Sequence, residues 1–325
     1  MPEKPKIALY WCSSCGGCEE SVIDLAEELL VLAQKVEIVF WPVATDHKIR
    51  DLEALADGEI LATLINGAVR MDEQAEMARL LRRKSRYLFA HGSCAHLGGV
   101  VGLANFFDRN EVLDRSYLEV STVVNPEKIR PQPITRHRGR ELILSDFHDT
   151  VKPLDQVVPV DYYIPGCPPT PELVGRAFED LLAEKLPPPG RVLADSQALC
   201  HTCPRLGSRP AQLSFKRFKR LYECDWEHDV CFLNQGIICL GPATRGGCGA
   251  RCVGANMPCR GCFGPVGEVR DQGAKIMAFL AAMIPGSDPH EIQAMVDTIA
   301  DPGGLFYRYS LPSSILRNRR IPKSE

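Results

Sequence analysis

The strongest constraint on this chain is a group of three closely spaced cysteines, Cys12, Cys15 and Cys18, near its start. Residues 7–11 just before them form a short apolar run, as buried strands do. Residues 22–33 just after them repeat apolar side chains at helical spacing. The thiols therefore lie on a predicted strand-to-helix turn. Two glycines in that turn let backbone N–H groups approach a bound group, and the helix N-terminus favours thiolates and an anionic cluster.

Composition restricts the class of protein. A length of 325 residues predicts two domains, and a net charge of −3 predicts no nucleic-acid or membrane partner. No apolar run approaches the roughly 20 residues of a membrane span, and the N-terminus leads directly into a predicted strand without a signal peptide. We therefore expect a cytoplasmic protein. Because a reducing compartment disfavours disulfides, the 14 cysteines indicate metal ligands better than they indicate cross-links.

The first half of the chain alternates predicted strands and helices. This order is typical of a doubly wound α/β domain with a parallel sheet. A small hairpin is expected near residues 141–144, inside an otherwise mixed stretch. Strands are predicted at residues 7–11, 36–40, 60–65, 87–90 and 157–164, and helices at residues 22–33, 72–84 and from Pro171, with Thr170 as N-cap.

Three of the predicted strands end in a loop that contains cysteine. Cys15 and Cys18 follow the first strand, Cys94 follows residue 90, and Cys167 follows residue 164. Sites in such sheets form at the carboxyl edge of the strands, so these four distant thiols are expected to converge. A zinc site drawn from three separate crossovers would be unusual, because structural zinc prefers local knuckles.

The chain changes character after a proline-rich linker at residues 187–190. Nine cysteines lie between residues 200 and 262, apolar periodicity is weak, and a basic helical piece is predicted at residues 214–222. Such a segment is expected to build little core and to need metal for folding. Two zinc sites are one interpretation, and iron-sulfur ligation by short cysteine spacings is the better one. We predict domains at 1–186 and 187–325.

Four stretches carry a resemblance to a known family. They are residues 15–21 (CGGCEES), 92–94 (GSC), 165–169 (PGCPP) and the glycine-rich cysteine tract 231–265. With them the chain resembles the small subunit of NiFe hydrogenases, most closely the cytoplasmic methyl-viologen-reducing type that works with heterodisulfide reductase. The resemblance implies a flavodoxin-like domain followed by an irregular iron-sulfur domain. It also covers nearly the whole chain, least well at residues 109–160.

Carried over by position, the resemblance implies three 4Fe-4S clusters. Cys12 and Cys224 have no clear counterpart, and Cys12 is an alternative to Cys15. Where the membrane-bound branch has a histidine and a proline, this chain has Cys200 and Cys252. The implied ligands are Cys15, Cys18, Cys94 and Cys167 for the proximal cluster, Cys248, Cys252, Cys259 and Cys262 for the medial one, and Cys200, Cys203, Cys231 and Cys239 for the distal one.

The function implied is that of a non-catalytic electron-transfer subunit of a hydrogenase. It would relay electrons from dihydrogen oxidation in a NiFe large subunit to an iron-sulfur or flavin acceptor, such as heterodisulfide reductase. The quinone-site subunit of respiratory complex I shares the PGCPP loop, but it usually has adjacent cysteines and lacks a cluster-rich second domain. Two alternatives remain open: a cluster-bearing electron-transfer subunit of a nickel-free oxidoreductase, and a zinc-stabilised binding module.

Overall fold

The computed structural model describes residues 3–215, 217–223, 225–285 and 288–317. The strands are β1 (Lys6–Trp11), β2 (Glu37–Phe40), β3 (Ile60–Asn66), β4 (Val69–Met71), β5 (Ser85–His91), β6 (Ile134–His137), β7 (Arg140–Ile143), β8 (Phe147–Lys152), β9 (Tyr162–Ile164) and β10 (Arg191–Val192). The helices are α1 (Gly17–Ile23), α2 (Glu27–Lys35), α3 (Ile49–Ala54), α4 (Asp72–Lys84), α5 (Gly92–Leu97), α6 (Arg109–Asp114), α7 (Pro171–Leu182), α8 (Arg251–Gly254), α9 (Gln272–Met283), α10 (Pro289–Val296) and α11 (Pro302–Phe306).

The main sheet has six parallel strands in the order β2-β1-β3-β5-β9-β10. Counting only these strands along the chain, the order is 2-1-3-4-5-6, which is the flavodoxin-like order with one strand added. The direction in which strands are added reverses at β1, so the loops after β1 and β3 open the crevice at the carboxyl edge. The predicted doubly wound α/β sheet is confirmed.

Alternate residues of β1 pack on opposite faces of the sheet. Ile7 and Leu9 join a core with α1, α2 and α7, whereas Ala8 joins a second core with α3 and α4. Both faces are buried because helices cover both, which explains why the central strands are apolar throughout. Packing of the helices on both faces stabilises the sheet, and the sheet in turn positions the loops at its carboxyl edge.

Two predicted elements are shorter than expected. The helix at residues 22–33 is two helices, because Ala26 adopts a left-handed φ of 52° between α1 and α2. The strand at residues 157–164 is only the three residues of β9. Pro159 has no N–H to donate to a neighbouring strand, and a 3₁₀ turn at residues 154–156 directly precedes this stretch. Apolar periodicity detects neither break.

Residues 109–155 leave the main sheet and return to it. The predicted hairpin is confirmed as β6 and β7, and β8 pairs antiparallel with β4. The buried side chain of Asn105 ties this return to the 3₁₀ helix after α5, since its Nδ2 donates to the carbonyl of Val151 (3.0 Å) and its Oδ1 accepts from the N–H of Val151 (2.8 Å).

The C-terminal part is irregular, but it does build a core. The prediction of little core was wrong, because α9, α10 and α11 supply apolar side chains that pack with Phe232, Ile237 and Val253 from the cysteine tract. The predicted basic helix at 214–222 was also wrong. In its described part, Phe218 is buried and Lys219 forms a bridge with Ile237, so the segment is extended and only Leu221–Glu223 turns.

The two predicted domains share contacts across the boundary at residue 186, which stays a prediction. The last sheet strand, β10, lies beyond the linker and pairs with β9. Phe263, from the cysteine tract, is 2% exposed and packs in the sheet core with α1, α2 and α7. Among the described helices, none has the length and apolar character needed to cross a membrane.

Candidate metal centres

The first group of predicted ligands lies at the carboxyl edge of the sheet. Cys15 and Cys18 are in the turn from β1 into α1, Cys94 is in the first turn of α5 after β5, and Cys167 follows β9. Cys18 and Cys94 are buried, while Cys15 and Cys167 are exposed. The fold therefore brings these four thiols to one edge, with two of them accessible from outside the chain.

The four thiols are close enough to influence one another's ionisation. Burial raises the pKa of Cys18 well above its ordinary value, and the neighbouring thiols of Cys94, Cys167 and Cys15 raise it further. Burial, with smaller contributions from Cys167 and Cys15, raises the pKa of Cys94 to about 12. The bare chain therefore keeps these two thiols protonated at neutral pH, and a metal has to displace the protons in order to bind.

Glycines make room for the sulfurs. A Cβ on Gly92, whose φ is +84°, would lie 2.3 Å from Cys18 Sγ. A Cβ on Gly99, whose φ is +62°, would lie 2.3 Å from Cys94 Sγ. Only glycine fits both the backbone conformation and the space. An all-thiol donor set inside such a cradle fits an iron-sulfur cluster.

Ser93 connects the first cysteine group to a more distant loop. Its Oγ lies within hydrogen-bond distance of the carbonyls of Gly166 (2.9 Å) and Cys262 (2.5 Å), and its N–H donates to the carbonyl of Gly166 (2.7 Å).

The buried His91 lies two residues before Ser93 in the sequence. Its Nε2 is 3.0 Å from the carbonyl of Cys18, and burial lowers its pKa to about 4, so the ring is neutral. Sequence reasoning missed both residues, although they lie just before Cys94 in the motif HGSC.

A buried carboxylate adjoins the first group. Glu19 is 5% exposed and accepts hydrogen bonds from Trp41 Nε1 and from Asn66 Nδ2 (2.5 Å). Burial raises its pKa. Its neighbour Glu20 is exposed in the first turn of α1. The structure thus distinguishes two adjacent carboxylates that look equivalent in the sequence.

Cys12 lies apart from the other cysteines of the N-terminal triplet. Its side chain is 5% exposed and packs in the sheet core that contains Ala8 and Ile65. Burial alone raises its pKa to about 12, with no contribution from another thiol. Cys224, the second cysteine without a counterpart, lies outside the described residues.

A second group comprises Cys200, Cys203, Cys231 and Cys239. Burial raises the pKa of Cys200; a hydrogen bond from Arg209 opposes this, and the thiols of Cys203 and Cys231 raise it further. Burial, together with Cys200 and Cys231, raises the pKa of Cys239 to about 12. A Cβ on Gly241 would lie 3.3 Å from Cys200 Sγ and 3.6 Å from Cys239 Sγ, so this group also surrounds a glycine.

A third group lies between the other two. Burial raises the pKa of Cys262 to about 12, and the nearby thiols of Cys167, Cys248 and Cys252 add to it. Burial also raises the pKa of Cys259, with contributions from Cys239 and Cys262. The third group therefore interacts with the first through Cys167 and Cys262, and with the second through Cys239 and Cys259.

Effects of neighbouring thiols on one another's pKa values link all twelve predicted ligands, and their division into three groups of four stays a prediction. In the part of the chain that the structure describes, no three Cys, His, Asp or Glu side chains are placed to hold a single metal ion. A cubane cluster has a different requirement, because its four irons take one thiolate each from four cysteines.

Comparison with known proteins gives consistent matches. Residues 15–181 match the family model of the NADH ubiquinone oxidoreductase 20 kDa subunit. The iron-sulfur subunit of the F420-non-reducing hydrogenase of Archaeoglobus profundus is 36% identical over 317 residues, which are 97% of this chain and 98% of that protein. The corresponding chain of the F420-non-reducing hydrogenase of Methanothermobacter marburgensis is 35% identical over 323 residues, 97% of each chain.

A solved structure supports the fold. The recombinant [NiFeSe] hydrogenase of Desulfovibrio vulgaris Hildenborough contains a chain that matches with a TM-score of 0.50 at 18% identity, covering 82% of this chain and 95% of that chain. The relatives at 35–36% identity, which match over nearly their full length, place the protein among hydrogenase small subunits. The chain belongs to the family of F420-non-reducing hydrogenase iron-sulfur subunits, within the wider family of the NADH ubiquinone oxidoreductase 20 kDa subunit.

Proposed function

We propose that this chain relays electrons from dihydrogen oxidation in a NiFe large subunit, through three 4Fe-4S clusters, to an acceptor such as a heterodisulfide reductase complex. The observation that carries the proposal is the serial arrangement of the three cysteine groups. The first is open to a partner through exposed Cys15 and Cys167. The third interacts with the first through Cys167 and Cys262, and with the second through Cys239 and Cys259.

The proposal assigns one cluster to each group. The proximal cluster takes Cys15, Cys18, Cys94 and Cys167, the medial cluster takes Cys248, Cys252, Cys259 and Cys262, and the distal cluster takes Cys200, Cys203, Cys231 and Cys239. When bound, the clusters supply one-electron redox chemistry at potentials that the protein sets. The large subunit would bind at the proximal end and the acceptor at the distal end.

The chain's own groups stabilise added negative charge in the C-terminal part. Cys231 accepts from the backbone N–H groups of Leu233 and Asn234, and Cys239 accepts from those of Gly241 and Cys259. In the first group, Cys94 accepts from the backbone of Val100, and Cys167 accepts from the side chain of Tyr309. N–H donors to sulfur stabilise negative charge, and the second group has four backbone N–H donors where the first has one, which supports electron flow from the first group towards the second.

The four cysteines of the third group support a complete 4Fe-4S cubane there. Cys252 is exposed, and its thiol lies near Cys248 and Cys262. It occupies the position where the membrane-bound branch has proline and a cluster with one iron fewer. A fourth thiolate completes the ligand set of a 4Fe-4S cluster, which suits a low-potential acceptor.

The test is elemental analysis and hydrogen-dependent dye reduction on the purified complex. We expect about twelve irons and matching acid-labile sulfide per chain. Cys167→Ser should abolish hydrogen-dependent dye reduction and leave the medial and distal paramagnetic signals in place. Two zinc ions without sulfide would identify a zinc-stabilised module instead. A co-purifying large subunit without nickel would identify a wire in another oxidoreductase. Full turnover of Cys167→Ser would contradict the proximal assignment.

A further inference from the structure

The hairpin of β6 and β7 stands away from the rest of the chain. Within the described residues, the two strands pair only with each other, and all eight of their residues are exposed. A two-stranded hairpin without a third strand or a packed helix is marginally stable in water. We call residues 114–145, which carry this hairpin, the arm.

Both faces of the hairpin expose apolar side chains. Ile134 and Ile143 lie opposite each other on one face and are 57% and 73% exposed. Leu142 and Leu144 point to the other face and are 53% and 55% exposed. A hairpin resting on a protein surface needs only one apolar face. Apolar residues on both faces indicate a hairpin that is enclosed on both sides by another molecule.

The root of the arm lies beside the first cysteine group. Ser145, at the end of the arm, accepts through its Oγ a hydrogen bond from the N–H of Glu73 in the first turn of α4 (3.0 Å). Ser13, in the cysteine turn, donates through its Oγ to Oε1 of Gln74 in the same turn (3.0 Å). The arm and the loop of Cys15 are therefore held by neighbouring residues of one helix N-terminus. The root of the arm therefore lies near the turn that carries Cys15.

The arm also carries an excess of positive charge. Its residues 114–145 contain six Lys or Arg and four Asp or Glu, in a chain whose net charge is −3. Arg136 pairs with Glu141 (3.6 Å), and Arg130 pairs with Asp114. Arg138 and Arg140, at the hairpin turn, have no ion pair within the residues described here. Their preferred partner is a surface with carboxylates.

We propose that the arm is a docking element that inserts its hairpin into an apolar, acid-rimmed groove of the hydrogenase large subunit. The inference rests on the proposed function, which requires the large subunit to reach the exposed thiols of Cys15 and Cys167. Because the end of the arm at Ser145 lies next to that site, one partner covers both surfaces. Two copies of this chain meeting arm to arm would bring their cationic turns together, which disfavours a second copy as the occupant.

The experiment uses the full chain co-produced with its large subunit. The double variant Leu142→Glu with Ile143→Glu places a carboxylate on each face of the hairpin. We expect the affinity for the large subunit to fall by on the order of 100-fold, while the chain keeps its iron. The matched control is Leu30→Glu with Val31→Glu on α2. Those side chains are 67% and 49% exposed, and the control should bind as the unaltered chain does.

Each outcome decides one question. Unchanged binding by the arm variant, beside a wild-type chain that binds, overturns the inference and leaves the proposed function standing. Wild-type chain that pairs with no hydrogenase large subunit overturns the proposed function itself. Dimers of the chain alone that disappear in the arm variant show that a second copy is the occupant and overturn the inference. Hydrogen exchange adds a direct measure: amides of β6 and β7 should slow when the large subunit binds.

Discussion

The substitution Gly92→Ala tests whether cluster binding needs the space that glycine leaves beside the sulfurs of the first cysteine group. Gly92 begins α5 with a φ of +84°, and a Cβ there would lie 2.3 Å from Cys18 Sγ. Non-bonded heavy atoms prefer about 3.5 Å or more, so the sulfur or the helix has to move by about 1 Å. A functional side chain has to be held within roughly 0.5 Å of its productive position. We therefore expect Gly92→Ala to lose the proximal cluster, which is about four irons per chain.

Alanine at this position adds both backbone strain and steric overlap with Cys18 Sγ, and a matched variant separates these two effects. Gly190 has a nearly identical φ of +89°, with no atom within 4 Å of the Cβ that alanine would add. Gly190→Ala should therefore cost about 1–2 kcal/mol of stability from its left-handed backbone and keep full iron. Gly92→Ala carries the same strain and the steric overlap with sulfur.

The assay is iron and sulfide content of the anaerobically purified complex, together with its paramagnetic spectra and hydrogen-dependent dye reduction. The spectra should lose the proximal signal in Gly92→Ala and keep the other signals. Full iron and full turnover in Gly92→Ala would refute the steric argument. Equal iron loss in Gly190→Ala would show that strain alone disrupts the site.

Other predictions concern single cysteines and one serine. The oxidised wild-type protein should show no substantial 3Fe-4S signal by electron paramagnetic resonance, whereas Cys252→Ser should gain one or lose the centre. Cys12→Ser should leave the iron content unchanged. It should lower the free energy of unfolding by roughly 1–3 kcal/mol, because it buries a hydroxyl in an apolar core. Cys224→Ser should also keep full iron; loss of about four irons in either variant would identify a ligand. Ser93→Ala removes the hydroxyl shared by Gly166 and Cys262, so redox titration should show shifted potentials for the first and third groups, with iron retained.

The sheet and the first cysteine group were predictable because they follow from short-range patterns. Apolar runs marked the strands, and the rule that sites form at the carboxyl edge brought Cys94 and Cys167 together from the sequence alone. Periodicity also predicted α4 from Asp72 to Lys84 as observed. It could not reveal the left-handed turn at Ala26, since a bent pair of helices keeps the same apolar spacing.

The C-terminal part was less predictable because its order comes from long-range contacts. Residues near Phe218 have helical spacing, but the bridge between Lys219 and Ile237 holds them extended. The core of this part comes from helices after residue 270, so local patterns in the cysteine tract underestimated it. Among the N-terminal cysteines, spacing could not separate Cys12 from Cys15, and only burial in the sheet core did so.

The junction between the sheet and the cysteine tract has a consequence for the rate of electron transfer. Tunnelling between redox centres slows steeply as their separation grows, so a hinge between them would make the rate fluctuate with each domain motion. Here β10 extends the sheet, Phe263 is buried in the sheet core, and Ser93 contacts the carbonyl of Cys262. Relative domain motion is the ordinary expectation unless the joint is apolar and well packed. The first step of the proposed relay therefore has a fixed length, so its rate does not depend on opening and closing of the chain.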